Sequence, residues 1–499
     1  MFSYLKHHFK DYSIETPSQA PIAPGQPPNQ RNIYQLRKNF GVNLGSIFIL
    51  ESFMYGDFFI NNTKAELDCI TEHVSQNGLD ATRQLLENHW KSFMTDEDWQ
   101  YLKQIGVTSV RIPIGYWEIN SGFINEDTPF EDISAVYQNA WDIYKKFYIE
   151  KASTYNISVL VDLHALPGGA NTGDHSGQIL SEPEFWSSTS YRIKALKCLK
   201  FIASDILRYD NIAGLQIVNE SVFSSDGESQ DKYYRQAIHD IRKKNPDVPI
   251  IISDGWSPNQ WVKWVNNLEL EVGGYLGLVI DSHVYRCFSE DDKSKNPDQI
   301  ISELDETVFN PKTLEGQADI LVGEYSCVLD SSSWEKFNGN RDEKVKEYGQ
   351  ALSFLFNQRT SGFYFWTYKF QYGDGGEWGF PKMVKDGAIP QRQSYTQRIP
   401  DENEFNTILN SSFNDHSNYW NSQNPNEAWE HDRYKEGFIT GWNDSVEFSK
   451  FDGSKIGRIN AIKTARKNEH IYARGSSDKI WEWDSGYTAG IEEFQKAAF

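Results

Sequence analysis

The chain has 499 residues, a formal net charge of −21 and 14% aromatic residues, which include 16 tryptophans. Its acidity argues against nucleic acid or an anionic membrane as a partner, because both would repel a strongly negative protein. A neutral ligand that stacks on aromatic rings, such as a sugar, fits this composition, and so does an acidic protein with a large core. No apolar run is long enough for a transmembrane helix, so none is expected.

The N-terminus and the cysteines favour an intracellular location. The first 30 residues lack the apolar segment of a secretory signal. The four cysteines show neither a C-x-x-C pair nor a disulfide framework: Cys69, Cys198, Cys287 and Cys327. We therefore expect a cytoplasmic protein. A mitochondrial protein is the alternative, which the lack of any arginine before Arg31 disfavours.

Short β-branched runs alternate with helical patterns from about residue 40 to 368. Eight of these runs are typical of buried strands, and they begin at residues 41, 108, 157, 213, 249, 277, 319 and 361. Between the first two, Thr95 precedes an acidic first turn and Gly106 ends the pattern, which predicts a capped helix. The alternation predicts an α/β fold, a (β/α)8 TIM barrel. A doubly wound sheet is the alternative, but no G-x-G-x-x-G follows the first strand.

The sequence pattern divides the chain into three predicted segments. Residues 1–38 form a Pro-rich N-terminal arm, residues 39–395 the barrel, and residues 396–499 a small helical C-terminal appendix. The appendix contains the motif G-[FY]-x-x-G twice, at Gly437–Gly441 and Gly486–Gly490. Glycines four residues apart share one helix face and allow another helix to come close. We expect the appendix to pack on itself or on a second copy, as a homo-oligomer; chance similarity is the alternative explanation of the motif.

The active site of such a barrel lies at the carboxyl ends of its strands. Polar or aromatic side chains stand at nearly every predicted strand end, which a purely structural barrel does not require. They are Asn43, Glu51, Arg111, Tyr116, Trp117, Asp162, His164, Asn219, Glu220, Asp254, Trp256, Asp281, His283, Tyr285, Glu324, Tyr325 and Trp366. Each alone is more often a cap, a structural ion pair or a core residue. Their joint placement predicts a site.

Two carboxylates dominate this set, Glu220 on the fourth strand and Glu324 on the seventh. Retaining glycoside hydrolysis uses two carboxyl groups about 5–5.5 Å apart, one as nucleophile and one as acid/base. The acid has to keep its proton near neutral pH, which burial and a neighbouring negative charge favour. Arg111 is a suitable cation to keep the nucleophile ionised, Tyr285 could orient the nucleophile, and Asn219 could bind the sugar 2-hydroxyl.

Other barrel chemistries fit the sequence less well. A metal-dependent hydrolase would need paired histidines at one strand end, and no H-x-H occurs. His164 and His283 would instead line the sugar site. A Schiff-base mechanism would need a lysine at a strand end, and Lys369 has no evident partner. Cys287 lacks a papain-like signature. The sequence therefore predicts an enzyme with neither metal nor cofactor.

Six motifs resemble those of family-5 glycoside hydrolases, which are retaining (β/α)8 enzymes: RIPIGYW, DLHALPGG, VNE, SHVY, VGEYS and FYFWTYK. GVNLGSIFILE and EWGFPKMVKDGAIPQ resemble the fungal exo-β-1,3-glucanase branch more narrowly, within residues 40–392. The resemblance implies that Glu220 is the acid/base and Glu324 the nucleophile. It implies supporting roles for Arg111, His164, Asn219, His283, Tyr285 and Trp366. It also implies that Glu51 contacts the terminal glucose and that Phe288 clamps the glucan at the entrance, with Trp378 nearby.

The chain also departs from the secreted glucanases. Ile47 stands where they have tryptophan, and the ANTGDHSG loop and the appendix differ from theirs. This indicates an intracellular fungal subgroup, for which a glucosylated lipid, sterol or small aglycone is an open substrate. We expect a retaining enzyme that releases glucose from the non-reducing end of a β-glucoside or β-1,3-glucan-like substrate. The alternative is a catalytically weak or inactive barrel that acts as a glycan-binding or scaffold protein.

Overall fold

A computed structural model describes residues 22–119, 124–314, 316–391 and 398–499. Two compact units are present. The described part of the first is Asn39–Gln391, and the described part of the second combines residues 22–38 with residues 398–499. The N-terminal segment was expected to be an extended arm, but from residue 22 onward it folds together with C-terminal residues. The division of the chain at residues 38 and 395 stays a prediction.

The first unit contains one closed barrel of eight parallel strands in chain order. The strands are β1 Asn39–Asn43, β2 Ser109–Gly115, β3 Ser158–Ala165, β4 Ile212–Gln216, β5 Ile250–Ser253, β6 Leu278–Arg286, β7 Ile320–Leu329 and β8 Gly362–Phe365. Each begins within two residues of its predicted start. The barrel closes because β1 pairs with β2 on one side and with β8 on the other. The predicted TIM barrel is confirmed, and the doubly wound alternative is wrong.

The floor of the barrel is filled by six buried side chains on successive strands: Leu160, Ala213, Ile251, Val279, Leu321 and Tyr364. Tyr364 is the bulkiest of them, and a Cβ added at Gly41 would overlap its ring. Glycine in β1 therefore makes room for tyrosine in the neighbouring strand β8. Because side chains alternate along a strand, residues two positions further on point into the barrel above this floor. Asp162 and Asp281 occupy such positions, at the base of the site.

Eighteen α-helices occur in the described part of the chain. The first nine are α1 Gln30–Leu36, α2 Glu66–Asn77, α3 Leu79–Ser92, α4 Asp96–Gln104, α5 Ala140–Ile143, α6 Glu150–Ser153, α7 Thr189–Ile206, α8 Glu228–Arg242 and α9 Pro258–Val272. The others are α10 Glu290–Ser294, α11 Pro297–Thr307, α12 Ser331–Trp334, α13 Arg341–Arg359, α14 Phe380–Lys385, α15 Glu402–Gln423, α16 His431–Lys450, α17 Ile459–Arg474 and α18 Ile480–Ala498. None of the described helices is long and apolar enough to cross a membrane.

The predicted helix between the first two strands is α4. The Thr95 hydroxyl accepts the Asp98 N–H at 3.2 Å, and the Asp98 carboxylate accepts the Thr95 N–H at 2.8 Å. This reciprocal pair satisfies two of the N–H groups that a helix start leaves without a partner. The cap and the acidic first turn are therefore both present, as the sequence predicted.

The second unit is helical and contains α1 and α15–α18. Its closest packing joins α16 to α18 through the two glycine motifs. A Cβ added at Gly441 would overlap the carbonyl oxygen of Tyr487, and one at Gly490 would overlap that of Phe438. The two motifs thus pack against each other within one chain. The prediction of a homo-oligomer remains untested.

A buried ion pair connects the two sequence segments of the second unit. Arg466 of α17 makes two hydrogen bonds to the Asp444 carboxylate of α16, at 2.8 and 3.0 Å. Its Nη2 also donates to the carbonyl oxygen of Gln26 at 3.0 Å. The Tyr487 hydroxyl donates to the same Asp444 carboxylate at 2.9 Å. Arg466, whose charge is neutralised by Asp444 of α16, therefore also holds residues 22–38 through the Gln26 carbonyl.

We predict that Gly441→Ala destabilises the second unit by up to about 2 kcal/mol net, because the added methyl group overpacks the α16–α18 contact at a cost of about 1–3 kcal/mol. Helix propensity acts in the opposite direction, since alanine is favoured over glycine by about 1 kcal/mol within a helix. Chemical denaturation followed by circular dichroism measures the difference. Asn443→Ala on the exposed side of the same helix is the control and should be neutral or stabilising. Equal stability of the two variants would contradict the close packing.

Candidate active site

Arg111 of β2 is fully buried below the carboxyl ends of the strands. Its guanidinium lies within 3.0 Å of five acceptors: Asn43 Oδ1 at 2.9 Å, Glu324 Oε1 at 2.9 Å, Gln216 Oε1 at 3.0 Å, Asn219 Oδ1 at 2.7 Å and Asp162 Oδ2 at 3.0 Å. Burial lowers the pKa of Arg111, but its neighbours Asp162 and Glu324 raise it by more. Arg111 is therefore a permanent cation that orients groups from four other strands or their ends.

Both oxygens of Glu324 are held by hydrogen bonds. Arg111 donates to Oε1, and the Tyr285 hydroxyl donates to Oε2 at 2.8 Å. The preceding residue, Gly323, donates its N–H to Asp281 Oδ1 at 2.7 Å, and a Cβ at this position would overlap that oxygen. Only glycine lets β7 come this close to Asp281, which explains why the motif VGEY contains a glycine. Glu324 is thus presented as a fixed carboxylate.

Glu220 lies four residues beyond the end of β4, where its own backbone is left-handed with φ 44°. This conformation is costly for a residue with a side chain and is typical of functional sites. The Glu220 carboxylate contacts two imidazoles, His283 Nδ1 at 2.8 Å from Oε1 and His175 Nε2 at 3.2 Å from Oε2. The strained turn therefore places Glu220 between two histidines.

The pKa of Glu220 differs from what the sequence led us to expect. Burial raises this pKa, but the hydrogen bonds and charges of His175 and His283 lower it by more, and it lies well below the usual value. We expected burial and a nearby negative charge to keep the acid protonated. The expectation was wrong because it left out His175 and assigned His283 to the sugar rather than to Glu220.

The two histidines carry the proton that Glu220 lacks. Burial lowers the pKa of His283, but Glu324 and Asp281 raise it by more, so that it lies well above its ordinary value. Its Nε2 lies 3.1 Å from Asp281 Oδ2, and its Nδ1 also lies 3.5 Å from Glu324 Oε2. Burial lowers the pKa of His175, whereas Glu220 raises it, to about 9 in all. A proton therefore stays on this group of side chains at neutral pH.

His164 is held in one neutral form by its neighbours. Its Nδ1 lies 2.7 Å from Asp162 Oδ2, and its Nε2 lies 3.2 Å from Asn219 Nδ2. The Asn219 oxygen accepts from Arg111, so its NH2 group faces the imidazole. Nε2 therefore accepts and Nδ1 donates. Burial lowers the pKa of His164, in agreement with a neutral ring.

A cavity of about 340 Å³ opens above these groups. Its lining residues are Glu51, Phe53, His164, His175, Asn219, Glu220, Tyr285, Phe288, Glu324, Trp366 and Trp378. Burial, as the main cause, raises the pKa of Glu51 to about 8, so this carboxyl group holds a proton at neutral pH. Phe288 is 63% exposed, and its ring centre lies 6.4 Å from that of Trp378. The cavity thus combines three carboxyl groups with aromatic walls.

Eight of the ten predicted site residues line this cavity. The other two, Arg111 and His283, contact the lining carboxylates Glu324 and Glu220. Asp254 and Trp256 line a neighbouring cavity of about 470 Å³ together with His283. The remaining strand-end aromatic residues lie in the hydrophobic core and not in the site: Tyr116, Trp117 and Tyr325. Ile47 likewise belongs to the core and does not line the cavity.

The sequence did not predict His175 or Phe53. His175 belongs to the ANTGDHSG loop after β3, where Asn171 Nδ2 donates to the carbonyl oxygen of Glu220 at 3.1 Å. This contact fastens the loop beside Glu220. The signal for His175 was a histidine shortly after a strand end, in a loop already noted as unusual. Phe53 follows Glu51 closely in sequence, which was the only signal for it.

Two family models match the chain. The cellulase model of glycosyl hydrolase family 5 matches residues 74–371. The chain belongs to glycoside hydrolase family 5. The model of the glucan 1,3-beta-glucosidase 3 C-terminal domain matches residues 401–498, which lie in the second unit. The protein is therefore a glycosidase with a helical C-terminal region that also occurs in relatives.

Full-length relatives are found among fungi. An uncharacterized glycosyl hydrolase of Saccharomyces cerevisiae is 37% identical over 99% of this chain and 100% of its own length. Glucan 1,3-beta-glucosidase 3 of Schizosaccharomyces pombe is 33% identical over 94% of this chain and 98% of its own length. Among solved structures, rutinosidase from Aspergillus niger superposes with a TM-score of 0.56 at 18% identity, covering 71% of this chain and 98% of that chain. That likeness concerns the fold alone.

We predict that Arg111→Gln destabilises the family-5 barrel by about 3–5 kcal/mol, because it leaves buried carboxylates without their cation. Arg208→Gln is the control. Arg208 pairs with Asp205 at 3.2 Å but is 58% exposed, and its loss should cost less than about 1 kcal/mol. Denaturant unfolding at neutral pH measures both. A cost for Arg111→Gln as small as that of the control would show that the buried network does not depend on this charge.

Proposed function

We propose that the chain is a retaining β-glycoside hydrolase that releases glucose from the non-reducing end of a β-glucoside or β-1,3-glucan-like substrate. The observation that carries this proposal is the position of two carboxyl groups at one cavity. An oxygen of Glu220 and an oxygen of Glu324 lie within 4.8 Å of each other and of a His283 nitrogen. Retaining enzymes place the two groups about 5–5.5 Å apart, whereas inverting enzymes need about 6.5–9.5 Å to admit a water.

The reaction follows from the two partners of each carboxylate. Glu324 attacks the anomeric carbon while the bond to the leaving oxygen breaks and Glu220 gives that oxygen a proton. A covalent glucosyl ester of Glu324 results. Water then attacks the same carbon, Glu220 takes its proton, and Glu324 leaves as a carboxylate. Arg111 and Tyr285 keep the Glu324 anion in place before and after each step.

The proton for the first step is held between Glu220 and its histidines. His283 Nδ1 lies 2.8 Å from Glu220 Oε1, so a proton can pass along an existing hydrogen bond. Since the pKa of His283 is well above its ordinary value, this imidazole carries a proton at neutral pH. Glu220 can therefore act as an acid although its own pKa lies well below the usual value. As a consequence, the protonation of Glu220 depends on both His175 and His283.

The lining of the cavity supports release of a terminal glucose. Glu51 keeps a proton at neutral pH and can donate it in a hydrogen bond to a sugar hydroxyl, while Asn219 and His164 stand close to Glu220. The exposed Phe288 beside Trp378 offers aromatic faces for the next sugar or another aglycone. The named activity of the Schizosaccharomyces pombe relative agrees with a glucan-like substrate. A cytoplasmic location remains part of this proposal.

The alternative function is a barrel that binds glycans without turnover. It predicts glycan binding without release of glucose. The site favours the enzyme, because both carboxylates are present and each has partners suited to its step: Arg111 and Tyr285 for Glu324, and two histidines for Glu220. A scaffold would not need a buried cation aimed at one carboxylate.

We predict that a 2-fluoro-β-glucosyl probe with a reactive leaving group labels Glu324. The fluorine slows both steps through their oxocarbenium-like transition states, and the leaving group restores only the first, so the glucosyl ester accumulates. Peptide mass spectrometry locates the modification. Glu324→Gln should abolish labelling and lower aryl β-glucosidase activity by at least about 10⁴-fold. Glu220→Gln should keep kcat/KM on aryl glucosides with good leaving groups and lose it on those with poor ones, because kcat/KM reports the first step, in which only a poor leaving group needs the proton. A panel of β-glycosides with no turnover by the unmutated protein would contradict the proposal.

We predict that His175→Asn shifts the falling limb of the kcat/KM profile to higher pH by about 1 unit or more. His175 lowers the pKa of Glu220, so in the unmutated protein Glu220 loses its proton at a lower pH. Without that imidazole, Glu220 keeps the proton longer as pH rises. The measurement uses an aryl β-glucoside with a poor leaving group. A dinitrophenyl glucoside, whose leaving group needs no proton, is the control, and its profile should show no shift. If the falling limb on the poor leaving group lies at the same pH in His175→Asn and in the unmutated protein, the role of His175 is contradicted.

A further inference from the structure

Three side chains of the second unit meet at one point, and none of them belongs to the barrel that carries the candidate active site. His416 lies on α15, His431 is the first residue of α16, and Glu482 lies near the start of α18. One nitrogen of each histidine and one oxygen of the glutamate lie within 4.8 Å of one another. We call these three residues the His–His–Glu cluster. Nothing in the proposed reaction uses it.

The distances within the cluster suit a small cation. His431 Nδ1 lies 2.7 Å and His416 Nε2 3.1 Å from the same oxygen, Glu482 Oε2. In a tetrahedral zinc site, with metal–ligand bonds of about 2.0–2.2 Å, neighbouring ligand atoms are about 3.3–3.6 Å apart. The two contacts of Glu482 Oε2 would have to lengthen by roughly 0.2–0.9 Å to admit the ion. Two imidazoles and a carboxylate are also a ligand set that Zn²⁺ uses.

The hydrogen bonds around His431 leave its Nδ1 suited to a metal. His431 Nε2 lies 3.3 Å from Asn421 Oδ1. An amide oxygen only accepts, so Nε2 carries a proton in this contact. Nδ1 faces the Glu482 carboxylate at 2.7 Å, and a contact this short needs a proton or a metal ion between the two atoms. Metal-binding histidines commonly donate their second nitrogen to an oxygen in this way.

The charge of Glu482 points the same way. Its carboxylate is fully buried, and its ion-pair partners within the described ranges are the two histidines alone. Its other oxygen, Oε1, accepts the backbone N–H of Glu430 at 2.8 Å, which fixes the orientation of the carboxylate. A buried carboxylate needs a compensating charge. The cluster offers lone pairs around it instead of a lysine or arginine.

Aromatic rings enclose the cluster. Tyr434 stacks on His416 with ring centres 3.9 Å apart, and Trp429 lies nearly parallel to His431 at 6.1 Å. Trp420 and Trp481 pack beside them, with ring centres 4.7 Å apart. Such apolar surroundings limit solvent access and strengthen the attraction between a cation and its ligands. They also hold the three helices near the positions that metal binding requires.

The catalytic centre has similar residue types but a different balance of charge. Glu220, His283 and Glu324 also lie within 4.8 Å of one another. There, Arg111 already supplies a buried cation to Glu324, and both nitrogens of His283 face carboxylates. A second cation has no free lone pair on that imidazole. The His–His–Glu cluster has no such arginine among its described partners.

We propose that the His–His–Glu cluster binds one divalent transition-metal ion of the zinc class through His416 Nε2, His431 Nδ1 and Glu482 Oε2. A water molecule completes the tetrahedron. The ion joins α15 to the starts of α16 and α18 and stabilises the second unit. The site is independent of the glycosidase reaction, so its failure and the failure of the proposed function are separate outcomes.

The test uses the full chain, stripped with a chelator, loaded with Zn²⁺ and dialysed against metal-free buffer. Elemental analysis should find one zinc per chain, and loading should raise the Tm. Glu482→Gln should lower the zinc affinity by at least about 100-fold. Glu324→Gln is the matched control, because it removes a carboxylate from the other His/Glu group, and its zinc content should not change. No bound zinc, or zinc lost from Glu324→Gln and kept by Glu482→Gln, would overturn the proposal.

A second measurement needs no variant and therefore holds even if Glu482→Gln does not fold. The unmutated protein is loaded with Co²⁺, whose visible spectrum distinguishes tetrahedral from octahedral coordination. Zinc X-ray absorption on the same protein should show about four nitrogen or oxygen neighbours at about 2.0–2.1 Å, with the scattering of two imidazole rings. Octahedral cobalt and zinc scattering without imidazole would refute the assignment.

Discussion

One buried guanidinium organises the catalytic half of this protein. Arg111 reaches acceptors at the ends of β1, β3, β4 and β7, and each of them is fixed in turn by a second contact. The guanidinium of Arg111 lies below the strand ends, away from water. Removing it from water costs free energy, and its contacts with five acceptors offset that cost. The Glu324 carboxylate, the Asn219 amide and the Asp162–His164 pair are therefore oriented by one charge, so their mutual geometry is a property of the barrel.

Protonation within the site depends on position more than on burial. Glu51 is buried and Glu220 half-buried in one cavity, yet the pKa of Glu51 is raised to about 8 and that of Glu220 is lowered. The difference lies in their contacts, since Glu220 touches two imidazoles and Glu51 mainly loses water. One cavity thus contains a protonated carboxyl group, Glu51, that can donate a hydrogen bond to a sugar, and a carboxylate, Glu220, that would take its proton from a neighbouring histidine. Burial alone would have assigned the two groups the same behaviour.

The strands and the main site could be predicted because their signals are local. Buried runs such as the one ending at Gln216 mark strands, and a parallel barrel brings their ends together. His175 could not be predicted, because its position depends on Asn171 reaching the carbonyl of Glu220 across the fold. The pKa of Glu220 was misjudged for the same reason. The path of residues 22–38 depends on Arg466, 440 residues from Gln26, which no sequence pattern reveals.

The second unit is built from both sides of the barrel sequence. Because Gln26 and α1 fold with helices that begin at Glu402, this unit cannot be completed during synthesis until almost the whole chain has left the ribosome. The barrel strands are made in the meantime and can close first. A fragment cut at the bounds of the matched C-terminal domain, residues 401–498, would lack the Gln26 carbonyl that Arg466 binds. Residues 22–38 and 398–499 therefore fold late, and together.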